Sequence, residues 1–293
     1  MEEADCIKME EYMGKIVVFW SPWHGQARVT ASMGAVAMAL SEIQEERVIV
    51  THTQFGMADL EGMFDLRIKE EQKQVLYESA GLNALILNFK QAELNKEAIE
   101  RCSMQVPNAN NLFMLPGLSK DAALLQGDEL EDMLEYILTE RVAQAYDWLF
   151  IDLASGKNPF SKRLIEKADV VVITLSQNTA TWNTLFQEYK EMVERENIFF
   201  LFGAHKALSK FNVKNFKRMY RRYADGENSG VIPDCVGYMD AVSDGLVSTF
   251  YLMNENVKRK EENFTFITEC KESAKKIRAL ANKETTKGGR GNP

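Results

Sequence analysis

The sequence is poor in residues that staple, chelate or anchor. Its four cysteines, Cys6, Cys102, Cys235 and Cys270, stand far apart with no CxxC pair. That argues against a disulfide framework or a zinc site and fits a reducing cytosol. The three histidines, His24, His52 and His205, lack metal-ligand spacing such as HExxH and read as ordinary side chains. No apolar run reaches the roughly 20 residues of a bilayer span. The opening stretch MEEADCIKMEEYMG is acidic and polar, wrong for export. An excess of positive charge is missing too. A net charge of −8 argues against a global polyanion-binding role and leaves only a local basic patch.

What is present is a large core. The chain has 293 residues, 45% of them hydrophobic and 27% charged, which fits one large domain. Six short apolar runs are predicted as strands: 15–20 (KIVVFW), 47–51 (RVIVT), 111–115 (NLFML), 148–153 (WLFIDL), 170–175 (VVVITL) and 198–202 (IFFLF). Runs this continuous suggest strands covered on both faces, as in a parallel sheet. Between them the spacing is helical. Met33, Val36, Ala37 and Leu40 share one face; Leu130, Met133, Leu134, Ile137 and Leu138 share another. Trp182, Leu185, Phe186, Tyr189, Met192 and Val193 mark a third. Such alternation predicts a doubly wound α/β fold with ligands at the loop edge. Residues 56–110 read as helix-rich without a clear strand, and ADGENSGVIPD (224–234) reads as a loop. A last helix over 261–283 carries an apolar stripe of Phe266, Cys270, Ala274, Ile277, Leu280 and Ala281 that should pack on the domain. The expected organisation is a polar extension over 1–14, one domain over 15–283 and a disordered tail over 284–293.

The chemistry concentrates in 21–30, SPWHGQARVT, between the first strand and the first helix. A phosphate loop turns backbone N–H groups toward an anion at a helix N-terminus. Glycines allow the wrap, a Lys neutralises phosphate and a Ser/Thr hydroxyl binds Mg²⁺. Here only Gly25 is a glycine, and Arg28 and Val29 fall at the Lys and hydroxyl positions.

The order and spacing resemble the MinD/ParA group of P-loop ATPases, whose deviant Walker A loop reads KGGxGKTT. On that pattern Trp23 replaces the signature Lys and His24 the first Gly. Gly25 is kept, Gln26 is variable and Ala27 replaces the last Gly. Arg28 and Val29 replace the Lys-Thr pair, and Thr30 keeps the final Thr. Further matches lie along the chain. YDWLFIDL is similar to the strand ending in a Walker B aspartate, here Asp152. Residues 154–156 stand at the second switch, NLFMLPG at the third-strand ending, and Ala168-Asp169 before the fifth predicted strand. IFFLFGAHKALSKFN stands where the family has a strand and a base-reading loop. The resemblance implies a Rossmann-like P-loop fold with a mostly parallel central sheet flanked by helices. It also implies an ATP/ADP site over Trp23–Thr30 and Mg²⁺ on Asp152.

The departures matter as much. Where the family has aspartates at the end of its second strand, this chain has Thr51 and Thr53. Phosphoryl transfer depends on positioning and charge neutralisation, so losing most of the metal shell should cost several orders of magnitude in rate. Arg28 can still pair with phosphate, or with a carboxylate such as Asp152, closing the site. Asp240 and Asp244 cap loops or face a base. The resemblance implies a homodimer through the loop face and a positioning or assembly role with a protein partner, as in the TadZ/CpaE branch of pilus and secretion factors. Two rivals stay open. One is an active ATPase of plasmid or chromosome partition. The other is a DNA-binding module using the basic stretch KALSKFNVKNFKRMYRR, whose alternative is a solvated helix with Phe216 and Tyr220 buried. The expected location is cytoplasmic, or peripheral at a membrane through a partner.

Overall fold

A computed structural model describes residues 13–43, 45–54, 60–64, 80–118 and 128–283. The expected extension over 1–14 lies mostly outside them, and the expected tail over 284–293 lies wholly outside. Among the described residues, eight strands form one sheet in the order β3-β4-β2-β5-β1-β6-β7-β8. They are β1 (Lys15–Trp20), β2 (Val48–His52), β3 (Met104–Gln105), β4 (Leu112–Met114), β5 (Trp148–Asp152), β6 (Val170–Leu175), β7 (Ile198–His205) and β8 (Ser229–Pro233). Every pairing is parallel except β3 with β4. The expected α/β fold and the six expected strands are present.

Two expectations need correction. The segment taken as a loop over 224–234 contains β8. Its apolar run is short and is broken by Gly230 and Pro233, a composition that an edge strand tolerates and a sequence pattern hides. The helix-rich stretch before residue 110 holds the two-residue β3, paired only with β4.

The central strands are buried on both faces because they carry no polar alternation. On one face lies α1 (Val29–Ile43), which places Met33, Val36, Ala37 and Leu40 in the core as expected. Small residues let α1 sit close: a Cβ at Gly34 would lie 2.2 Å from the methyl of Met63, on α2 (Leu60–Met63). The last helix, labelled α12 (Phe264–Ala281), covers α1 and β8 with Phe266, Cys270, Ala274 and Ile277 buried, as the stripe predicts. Between them α10 (Val236–Asp244) and α11 (Val247–Met253) are tied to α1 by two buried tyrosines. Tyr238 Oη donates to the Ala31 carbonyl (2.7 Å) and Tyr251 Oη to that of Ala35 (2.9 Å).

The opposite face carries α3 (Gly81–Lys90), α4 (Lys96–Cys102), α5 (Asp128–Tyr136), α6 (Pro159–Lys167), α7 (Thr179–Glu188), α8 (Lys190–Val193) and α9 (Val213–Met219). The helix expected through 130–138 passes into a π-helical stretch, Ile137–Val142. The helix expected through 182–193 breaks at Tyr189, whose ring packs edge-on against Trp20 at 4.8 Å. In the basic stretch, Phe216 is fully buried among Trp182, Phe200 and Phe202, and Tyr220 stacks on Phe186 at 3.9 Å. The charged side chains of Lys214, Arg218 and Arg221 stay exposed.

This arrangement makes α9 a packed element whose charges face solvent. Phe216→Ala should cost about 3–5 kcal/mol of stability. Lys214→Glu with Arg218→Glu should change it by less than about 1 kcal/mol. Urea unfolding followed by circular dichroism checks both; comparable losses in the two variants would contradict this packing.

Candidate functional site

The loop between β1 and α1 lies at the C-terminal edge of the sheet, where open α/β folds bind ligands. Two of its residues take left-handed backbone, Gly25 (φ 73°) and Arg28 (φ 51°). Nothing crowds Gly25, so glycine is there for its conformation. Non-glycine residues held in that region are strained and persist only where their surroundings fix them. Gly203 of β7 does part of that fixing: a Cβ there would lie 2.2 Å from the Ala27 carbonyl oxygen and 2.9 Å from Ser32 Oγ. Ala204 beside it is also left-handed (φ 49°). Ala27 and Val29 are buried. His24, Gly25, Gln26 and Arg28 are exposed, and Trp23 presents 41% of its surface.

Asp152 ends β5 beside β1 and is fully buried. Thr30 Oγ1 donates to its Oδ2, and Gln54 Nε2 donates to its Oδ1 at 3.0 Å. Burial pushes its carboxyl up to about 6, against the opposing effect of those two bonds. Arg28 does not pair with Asp152, as one expectation had it. Its guanidinium lies 3.4 Å from Asp234, just beyond β8, and Lys206 reaches the other oxygen of that carboxylate at 3.5 Å. The guanidinium is long enough to reach outward, and Asp152 is already capped from within.

A second buried cluster lies next to the first. His52, the register partner of Asp152, shares a 3.0 Å contact with Glu61, which also accepts from the Gly117 N–H at 2.9 Å. Burial opposes charge on His52, but the Glu61 carboxylate outweighs it and holds the imidazole above its ordinary value. Burial likewise opposes charge on Glu61, and His52 holds it below its ordinary value. Gly117, the end of the LPG turn, has no room for a side chain: a Cβ would lie 2.3 Å from the His52 ring. Of the two threonines noted in the sequence, Thr51 is buried with no hydroxyl partner among the described residues, while Thr53 accepts from the Ala154 N–H at 3.4 Å. Gly156 donates its N–H to the Ser21 carbonyl and accepts from the Trp20 indole, joining the segment after Asp152 to the loop. A groove of about 800 Å³ between α6 and α8 touches Trp20 and Gly156 but none of residues 21–30.

The donor set offers Mg²⁺ one carboxylate, Asp152, whose two oxygens already accept from Thr30 and Gln54, and Val29 stands where the family pattern has a hydroxyl. The loop suits an anion: a left-handed turn at the N-terminus of a fifteen-residue helix, with an arginine on it. Asp169 is structural, accepting from the Ile16 N–H at the far edge of β1. Asp240 and Asp244 are exposed on α10. Gln54, Glu61 and Asp234 were not singled out from the sequence; His52 was read as an ordinary side chain, and Lys206 as the start of the basic stretch. Gln54 lies one residue beyond the predicted strand-end threonines, and Asp234 follows a strand the pattern hid.

No protein-family model and no curated protein matches the sequence. Solved structures do match in shape. The ParA family ATPase from Chlorobium tepidum superposes with a TM-score of 0.66 at 13% identity, covering 89% of this chain and 98% of that one. The cell division ATPase MinD from Pyrococcus furiosus gives 0.65 at 14%, covering 92% and 100%. The septum site-determining protein MinD from Pyrococcus horikoshii, complexed with Mg-ADP, gives 0.62 at 13%, covering 92% and 100%. The chain therefore has the Rossmann-like P-loop fold of the MinD and ParA ATPases.

The Asp152 shift carries a sign. Its folded-state value of about 6 lies above the ordinary 3.8, so the folded protein binds that proton more tightly than the unfolded chain. Stability is therefore lost as pH rises from about 4 through 6. Asp152→Asn should gain on the wild type by about 2 kcal/mol between pH 4.5 and pH 7.5. Urea midpoints at the two pH values measure this; a constant difference would mean that Asp152 stays ionised throughout.

Proposed function

We propose that this protein is a MinD/ParA-like nucleotide-binding factor that binds ATP or ADP at residues 23–30 with little or no hydrolysis. The observation that carries the reading is the closure of Asp152 by Thr30 and Gln54, beside a loop with left-handed backbone at Gly25 and Arg28 that leads into the N-terminus of α1. Hydrolysis in such folds leans on a metal held between phosphate and carboxylate. Here the carboxylate is spent on the fold, while Arg28 offers a fork suited to phosphate oxygens. The likeness in shape to a MinD complexed with Mg-ADP supports a nucleotide at this edge.

The role we infer is a positioning or assembly factor, a homodimer through the loop face that recruits a protein partner in the manner of pilus and secretion factors. The exposed Trp23 beside the loop supports an interface there. A neighbouring fold, MinD of Aquifex aeolicus, is seen in a complex with MinC. Among the described residues no helix is long and apolar enough to cross a membrane.

Calorimetry with ATP and ADP, with Mg²⁺ or with EDTA, tests the reading. Micromolar binding is expected, changed less than about threefold by removing Mg²⁺ and weakened at least tenfold in Arg28→Ala. Phosphate release should stay at the buffer rate. Hydrolysis that needs Mg²⁺ would instead establish an active ATPase, and no binding at millimolar ATP would leave a scaffold without nucleotide.

A further inference from the structure

Arg28 and Lys206 come from different parts of the chain, the loop before α1 and the residue after β7. Both meet one carboxylate, that of Asp234, with Arg28 on Oδ1 and Lys206 on Oδ2. Asp234 is set by the end of β8, its N–H donating to the His205 carbonyl at 3.0 Å. The three charges therefore hang on three anchored backbones. Two of these run through left-handed residues, Arg28 and Ala204, and Gly203 packs against the loop carbonyl of Ala27. A carboxylate with one cation on each oxygen is the arrangement that a phosphate group would make with the same two side chains.

We propose that Asp234 is a resident counter-anion that holds Arg28 and Lys206 in the place of a ligand phosphate, so that a polyphosphate binds this loop by displacing it. The proposal rests on the nucleotide-binding reading and adds the group that sets its affinity. With Asp234 in place, the three side chains carry one net positive charge; without it they carry two, which matches a phosphate dianion. The displacement is feasible because the pairs are open. Side-chain exposure is 44% for Arg28, 70% for Lys206 and 35% for Asp234, and ion pairs this accessible contribute little to stability. The carboxylate thus weakens anion binding without locking the loop. It also selects for ligands able to satisfy both cations together, a diphosphate or triphosphate over a single weak anion.

The test uses the full chain in EDTA, with ATP, inorganic pyrophosphate and adenosine as separate titrants in a calorimeter. The variants are Asp234→Asn, Asp234→Ser and Asp234→Asn combined with Arg28→Ala. Unfolding midpoints show which are folded, and the two Asp234 variants guard against a local packing defect in either. The expected result is that removing the carboxylate tightens ATP and pyrophosphate by about three- to tenfold, steepens the salt dependence, and loses both gains when Arg28 is also removed. Unchanged or weaker pyrophosphate binding in both Asp234 variants, with a wild type that binds ATP, would overturn the counter-anion and leave the nucleotide reading standing. A change confined to adenosine would overturn it too, because Asp234 would then serve the base. No binding of ATP or pyrophosphate by the wild type or either variant at millimolar concentration overturns both.

Discussion

A carboxylate buried at the end of a central strand must find donors or give up its charge, and Asp152 organises the loop edge on those terms. It lies at the C-terminal end of β5, flanked by β1 and β2, with no exposed surface. Thr30 reaches it from the first turn of α1 and Gln54 from beyond β2. One buried group thereby ties the start of α1 and the exit of β2 to β5. Burial disfavours its charge more than the two hydrogen bonds and the nearby His52 favour it, which is why its carboxyl is pushed up to about 6. The same bonds that make burial tolerable occupy the oxygens that a divalent ion would need.

The surroundings follow from shape as much as from charge. Close approaches at glycines include Gly203 against the loop carbonyl of Ala27, Gly34 against the methyl of Met63, and Gly117 against the His52 ring. The first fixes where the loop lies over β7, the second how near α1 comes to α2. The third lets Glu61 reach both His52 and the Gly117 N–H. His52 and Glu61 form a hydrogen-bonded buried pair, so removing either partner would leave the other uncompensated.

The six predicted strands were legible because a strand covered on both faces is apolar throughout, and such runs stand out. KIVVFW and VVVITL match β1 and β6 residue for residue. The edge elements were not legible: β8 has a glycine within it and ends in proline, and β3 has two residues. The loop and Asp152 were visible as a position in a pattern. Their partners were not. Asp234 meets Arg28 across 206 positions of sequence, and Glu61 meets His52 from a separate helix. Period and spacing describe neighbours along a chain, and these contacts are set by the order of strands in the sheet. The break at Tyr189 was hidden too; there the ring packs on Trp20, from a strand far away in sequence.

Anion binding and hydrolysis draw on different parts of a phosphate loop. The first depends on N–H groups turned outward by backbone conformation; in this loop Gly25 and Arg28 carry left-handed backbone and Gly203 packs against Ala27. The second depends on side chains: a hydroxyl and carboxylates for the metal, and a group that orients water. Val29 at the start of α1 and Thr51 in β2 are buried, so their places are set by the core. An arginine at the loop is then the economical residue, since its planar fork can hold phosphate oxygens without a metal. Its pairing with Asp234 keeps that fork oriented toward the loop edge.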